Sequence, residues 1–265
     1  MLIVGELINA SRKPVAEAIR TRDAEAIGEL ARGQVEAGAA YVDVNAGVFV
    51  GEEVEHLCWL VRTVQEAVGA PCCIDSPDPR AVEQALAVHS GPAMVNSISL
   101  EQARFEALLP VVRGTDLKLV ALCMDDEGMP ETAAQRIGVA DRLVNRLVQN
   151  GLRPENLYVD PLVQPVSTNH SFGQEFLKAV AGIREALPDV HLICGLSNVS
   201  YGLPHRRLLN RVFAALAVGS GLDALIIDPL DEALMAVLTA AQALLGADPY
   251  CMGYLKAYRA GRLAG

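Results

Sequence analysis

Eight short apolar runs recur along the chain, each carrying a polar residue at or near its end and each followed by a helical segment. The runs are LIVGELIN (2–9), YVDVNAG (41–47), PCCIDS (71–76), AMVNSIS (93–99), KLVALCMD (118–125), LYVDPLV (157–163), HLICGLSNVS (191–200) and ALIIDPL (224–230). Near-continuous hydrophobic strands that alternate with helices describe a parallel sheet covered on both faces, because each crossover lays a helix on the sheet. Eight such units within 265 residues predict a TIM (β/α)8 barrel. A doubly wound open sheet is the alternative, though it commonly uses fewer strands.

Several connecting helices are legible. Asp23 is placed to cap a helix whose apolar stripe is Ile27, Leu30, Ala31 and Val35, with Gly38 as its terminator. Further helices are predicted over 52–68, 141–148, 174–187, 207–218 and 232–245, and Trp59 is expected to pack a helix on the barrel. Without a linker or low-complexity stretch, residues 1–265 read as one domain. The longest irregular segments, 125–131 and 163–172, follow the fifth and sixth strands, where barrel enzymes build their active-site face.

Composition narrows the function. With 32 acidic and 22 basic residues, a net charge of −10 and no basic run, the surface repels phosphate backbones and anionic lipid. No nucleic-acid or membrane partner is therefore expected. The N-terminus lacks a cationic leader, and the apolar stretch from Val212 to Ile227 is interrupted by Gly219, Gly221 and Asp223, so a cytoplasmic protein is expected. The six cysteines form no C-x-x-C pair and the five histidines are scattered, so no metal site is expected. Cys72, Cys73, Cys123 and Cys194 read as small buried hydrophobes.

The strand ends carry the chemical signal. Asn9, Asp43, Asn45, Asp75, Asn96, Asp160, Asn198 and Asp228 lie on seven of the eight strands. Burying a carboxylate costs several kcal/mol unless it is paired, and so many at one barrel mouth are hard to explain by folding alone. Rich in Asp and Asn and poor in cations, the set suits a flat, neutral heterocycle with amino and amide edges. It does not suit a sugar phosphate, and no G-x-x-x-x-G-K, G-x-G-x-x-G or G-x-S-x-G motif is present. Glu6, Asn9 and Asp228 also fit a second role, as hydrogen-bond partners that rigidify the rim. Tyr201 is expected to pack within its loop, and Cys123 and Met124 to line the pocket. Arg207 and Arg211 are placed either to meet a ligand's acidic tail or to form a solvated helix face. Lys118, the one strand lysine, opens its strand at the far end of the barrel and is badly placed for a Schiff base.

Taken together, GELIN (5–9), YVDVNAG, IDS (74–76), VNSIS (95–99), YVDPL (158–162), GLSNVS (195–200) and LLNRVF (208–213) resemble the pterin-binding methyltransferases. The likeness is strongest to the methyltetrahydrofolate:corrinoid/iron–sulfur protein methyltransferases and runs from residue 1 to about 260. It implies a TIM barrel of the dihydropteroate synthase-like type, usually a homodimer. It also implies transfer of the N5 methyl group between methyltetrahydrofolate and the Co(I) corrinoid of a partner protein. Asp75, Asn96 and Asp160 match the residues that hydrogen-bond the pterin, and Asn198 matches the asparagine beside N5. Asp43 and Asn45 match polar residues of the same pocket, and Asn9, Ser197 and Arg207 complete the expected binding set. No D-x-H-x-x-G signature is present, so the resemblance places the corrinoid (a cobalamin) on another protein. Leu7, the acidic DDEGMP turn and the prolines after Asp75 depart from the family pattern and leave the partner and the direction of transfer open. Dihydropteroate synthase is the rival reading. Its Ser-Arg-Lys sequence is replaced here by Ser197-Asn198-Val199, and its N-terminal motif is missing. A non-catalytic pterin- or folate-binding protein is a second alternative.

Overall fold

A computed structural model describes residues 1–263. Eight parallel strands form one sheet in the order β7-β6-β5-β4-β3-β2-β1-β8. The strands are β1 (Leu2–Asn9), β2 (Tyr41–Asn45), β3 (Cys72–Asp75), β4 (Met94–Ile98), β5 (Lys118–Leu122), β6 (Leu157–Asp160), β7 (His191–Leu192) and β8 (Ala224–Ile227). The two outer strands meet through Ile226 N–H, which donates to the Cys194 carbonyl at 2.9 Å, and through a parallel bridge between Gly195 and Ile226. The barrel is thereby closed, as the eightfold repeat predicts.

The helices are α1 (Lys13–Arg20), α2 (Ala24–Glu36), α3 (Glu53–Val68), α4 (Pro79–Val88), α5 (Gln102–Val112), α6 (Ala133–Gln149), α7 (Phe172–Ala186), α8 (Arg206–Gly219), α9 (Glu232–Leu244) and α10 (Met252–Arg259). Asp23 caps α2 by accepting from Ala26 N–H at 3.0 Å. Helix α6 begins eight residues before the predicted Asp141. Thr132 and Gln135 form a capping box there, and that reciprocal pair fixes the start of the helix. The seventh strand is far shorter than its apolar run. After Leu192 the chain bends, and Leu196–Ser200 forms a 3-10 turn. Trp59 is half-buried, with the Arg22 guanidinium 5.1 Å above its ring.

Alternation along the strands creates two separate cores. Val42, Val44, Cys72, Ile74, Val95, Leu119 and Val159 face outward and pack with the helices. Val4, Tyr41, Cys73, Met94, Val120, Tyr158, Ile193 and Ile226 fill the barrel interior. Lys118 lies at the lower end of that interior, where its Nζ donates to the Tyr158 hydroxyl at 2.9 Å. It is far from any strand end that could hold a substrate, as the sequence indicates. Among the described residues no helix is long and apolar enough to cross a membrane.

Candidate active site at the barrel mouth

The same alternation that plugs the interior aims the next inward residues at the mouth. On β2 these are Asp43 and Asn45, on β3 Asp75, on β4 Asn96 and on β6 Asp160; the register pairs Asn45 with Asp75 and Asp75 with Asn96. A cavity of about 320 Å3 opens above Ile226. Asn9, Asp43, Asp75, Asn96, Asp160 and Ser197 line it, together with Glu6, Ser11, Arg12 and Gly195. Six of the nine expected site residues thus meet in one hollow.

The other three sit outside it. Asn45 acts on a neighbour: its Nδ2 donates to Asp75 Oδ2 at 2.9 Å, while its Oδ1 accepts from Gly47 N–H at 3.0 Å. Asn198 lies exposed on the 3-10 turn after β7, and one of its amide hydrogens goes to the Val163 carbonyl at 2.7 Å. Arg207 lines an adjoining hollow of about 230 Å3, which shares Glu6, Arg12 and Ser197 with the first. Arg211 is held by Asp231 at 2.7 Å and is not available to a ligand's tail. Cys123 packs into the shell between barrel and helices rather than lining the pocket, and Tyr201 stands exposed instead of packing in its loop.

Burial dominates the electrostatics. Asp43 is 3% exposed, and its Oδ1 has no hydrogen-bond partner. Desolvation, then the charge of Asp75, push its carboxyl well above the usual range. Asp75 is raised by the same desolvation, against the opposing pull of the Asn45 amide and the Arg104 charge. Asp160 is pushed up to about 7 by burial, although the backbone of Leu162 and Gly195 favours its anion. Glu6 is raised as well, mainly by burial, and pairs with Arg12 at 3.3 Å. The hollow therefore offers carboxyl groups able to accept, with burial and the charge of Asp75 favouring the protonated, donating form of Asp43. That is the hydrogen-bonding pattern of a flat ring with both amide and amine edges. Among the described residues no group of three or more His, Cys, Asp or Glu side chains is placed to hold a metal ion.

Residues 5–228 match the family described as pterin binding enzyme. The chain belongs to that family. This pterin-binding enzyme is 40% identical over 266 residues to the methylcorrinoid:tetrahydrofolate methyltransferase of Eubacterium limosum, covering 99% of this chain and 98% of that protein. It is 28% identical over 240 residues to the methionine synthase of Mycobacterium tuberculosis, matching 86% of this chain but only 20% of that much longer protein. Among solved structures, the dihydropteroate synthase of Xanthomonas albilineans with 4-aminobenzoic acid superposes with a TM-score of 0.69. That match covers 93% of each chain at 16% identity, a likeness of fold alone.

The sequence marks Glu6 as a rim-stiffening residue and gives no sign of Arg12 or Ser11. Glu6 faces inward on β1 by simple alternation from Val4, which was a usable signal. Arg12 and Ser11 follow the strand in a turn built by Asn9, whose Oδ1 accepts from Ser11 N–H at 2.9 Å, and no periodicity marks them.

Proposed function

We propose that the whole chain acts as a single methyltransferase domain that moves a methyl group between a corrinoid carried on a partner protein and N5 of tetrahydrofolate. The name of the Eubacterium limosum relative favours the direction from methylcorrinoid to tetrahydrofolate. The observation that carries the reading is the convergence of Asp75, Asn96 and Asp160 in one cavity of a chain so similar to that relative.

In this reading Asp75, Asn96 and Asp160 hold the amino and amide edges of the pterin, and Asp43 and Asn9 complete the lining. The ring stands edge-down in the barrel with N5 toward the mouth. The N5 lone pair attacks the methyl carbon, the cobalt–carbon electron pair stays on cobalt as Co(I), and the N5 proton leaves to water or a nearby carboxylate. Asn198, placed at the mouth, uses its remaining polar atoms to hold N5. Its contribution grows as charge develops there, which is the kind of contact that lowers a barrier. Ser197 and Arg207 face the part of the ligand that leaves the ring.

Two features support the expected partners. Segments 46–52, 76–78, 99–101 and 123–132 at the mouth hold seven carboxylates and no lysine or arginine. Val50, Met129 and Tyr201 stand exposed among the mouth loops. A corrinoid protein with a basic, partly apolar face would seat there. The exposed Leu208, Val212 and Leu216, one turn apart along α8, supply an apolar face for a homodimer, which light scattering would detect. Six unpaired cysteines among the described residues suit the reducing cytoplasm.

The test is anaerobic mixing of the protein with methylcobalamin and tetrahydrofolate. Enzyme-dependent Co(I) absorbance with equimolar 5-methyltetrahydrofolate supports the assignment. Absence of both transfer and tetrahydrofolate binding refutes it.

A further inference from the structure

Three arginines near helix starts reach back over the barrel rim to main-chain oxygens beside the strand-end residues. Arg104, in the first turn of α5, donates from Nε and Nη2 to the Ser97 carbonyl at 3.0 and 2.6 Å. It also donates to the Ser76 carbonyl at 2.9 Å and to that of Pro77. Ser76 follows Asp75 and Ser97 follows Asn96. Arg136, in the first turn of α6 and fully buried, donates to the Pro161 carbonyl at 2.8 Å, the Leu162 carbonyl at 3.5 Å and the Glu131 carbonyl at 2.7 Å. Pro161 and Leu162 follow Asp160. Arg206 repeats the arrangement at Ser197, donating to its carbonyl at 2.6 Å.

We propose that Arg104 and Arg136 are positioning residues: forks that fix the aim of Asp75, Asn96 and Asp160 and supply positive charge from one residue away, so that no guanidinium takes up the acceptor positions the carboxylates keep for the pterin. The inference deepens the function proposed above and rests on it.

Geometry and chemistry agree on this arrangement. Among the described residues neither Asp75 nor Asp160 is in an ion pair. A guanidinium in direct contact would occupy the acceptor positions that ring N–H groups need. Set on the adjacent carbonyls, it orients the strand end and still acts through space. Its effect runs the right way: the charge of Arg104 opposes the upward push of burial on Asp75, and that of Arg136 does the same for Asp160. The Arg104 guanidinium's rigid planar fork spans carbonyls of two neighbouring strand ends in one fixed geometry, which a lysine's point charge on a flexible stem does not reproduce. The loop after β6 also needs holding. Leu162 has φ of +66°, a left-handed conformation uncommon for leucine. It is pinned between its own N–H bond to Asp160 Oδ1 at 2.8 Å and the Arg136 fork on its carbonyl.

The experiment measures tetrahydrofolate binding by anaerobic calorimetry from pH 5.5 to 8.5 for the wild type, Arg104→Met and Arg104→Lys, at a temperature where each is folded. Arg104→Met is expected to weaken binding at least tenfold at pH 7.5 and to move the acid limb of the binding profile to higher pH, because a charge that opposes the upward push of burial on Asp75 is lost. Arg104→Lys is expected to restore the position of the limb but not the full affinity. A merely structural arginine would lower the melting temperature without moving the limb. Arg136→Lys keeps the buried charge and is the second probe, expected to weaken binding without displacing its limb. Unchanged affinity and an unchanged limb in Arg104→Met overturn the proposal. A wild type that fails to bind tetrahydrofolate overturns the functional reading instead, a separate result.

Discussion

Asp160→Asn isolates the energetic cost of the site. In the native protein burial pushes the Asp160 carboxyl up to about 7, against an ordinary 3.8 for aspartate in the unfolded chain. The sign follows from linkage. A group whose native pKa is raised contributes its full stability below the unfolded value and loses it as pH climbs to the native value. Between about pH 4 and pH 7 the unfolded chain gains ionisation energy that the folded chain cannot match. At ~1.36 kcal/mol per pH unit the wild type loses about 4 kcal/mol over that window, and nothing more above it. Asparagine carries no charge and keeps an oxygen for the Leu162 N–H, which Asp160 now accepts at 2.8 Å. The stability of Asp160→Asn relative to the wild type should therefore rise by roughly 3 kcal/mol between pH 5 and pH 8. Urea unfolding of both proteins at the two pH values measures it. Tetrahydrofolate should stabilise the wild type far more than the variant, so the residue that costs stability is the one that binds ligand. A difference between the proteins that does not change with pH would refute the reasoning, because it would mean that Asp160 is not desolvated.

Three other outcomes follow from named contacts. Asn45→Ala removes the amide that supports Asp75, and pterin affinity should fall by about tenfold, a loss of ~1.4 kcal/mol in titration calorimetry, with little change in melting temperature. Gly5→Ala drives a methyl group into the fully buried Gln34, whose Oε1 holds the Leu7 N–H at 2.9 Å, and should cost about 1–3 kcal/mol in chemical denaturation. Reversing the rim with Glu127→Lys and Glu131→Lys should raise KM for a methylcobalamin-loaded corrinoid protein with a basic face and weaken its salt dependence. Transfer from free methylcobalamin should stay within about twofold, since both side chains are exposed and outside the cavity.

The barrel was legible because each strand is buried on both faces and writes itself as an unbroken apolar run. Asp43, Asp75, Asn96 and Asp160 were legible for the complementary reason: a polar residue at the top of such a run has only the mouth to point into. The turn after β7 was not, since LICGL is as apolar as any strand and only the backbone path shows that it bends into a 3-10 turn. Asn198 therefore sits exposed on that turn and not at a strand end. The role of Asn45 was hidden because its site neighbour, Asp75, becomes adjacent only through strand pairing. Arg104 and Arg136 look like ordinary charges on amphipathic helices. Their meaning lies in carbonyls 7 to 28 positions away, which no local pattern encodes. The start of α6 could have been found, since Thr132 and Gln135 have capping-box spacing.

The most direct test of the account is a structure of the enzyme with 5-methyltetrahydrofolate. The account predicts the pterin edges on Asp75, Asn96 and Asp160, with N5 and its methyl group beside Asn198 and open to the mouth. A ring seated in the adjoining hollow beside Arg207, or one bound with N5 toward the barrel floor, would contradict it.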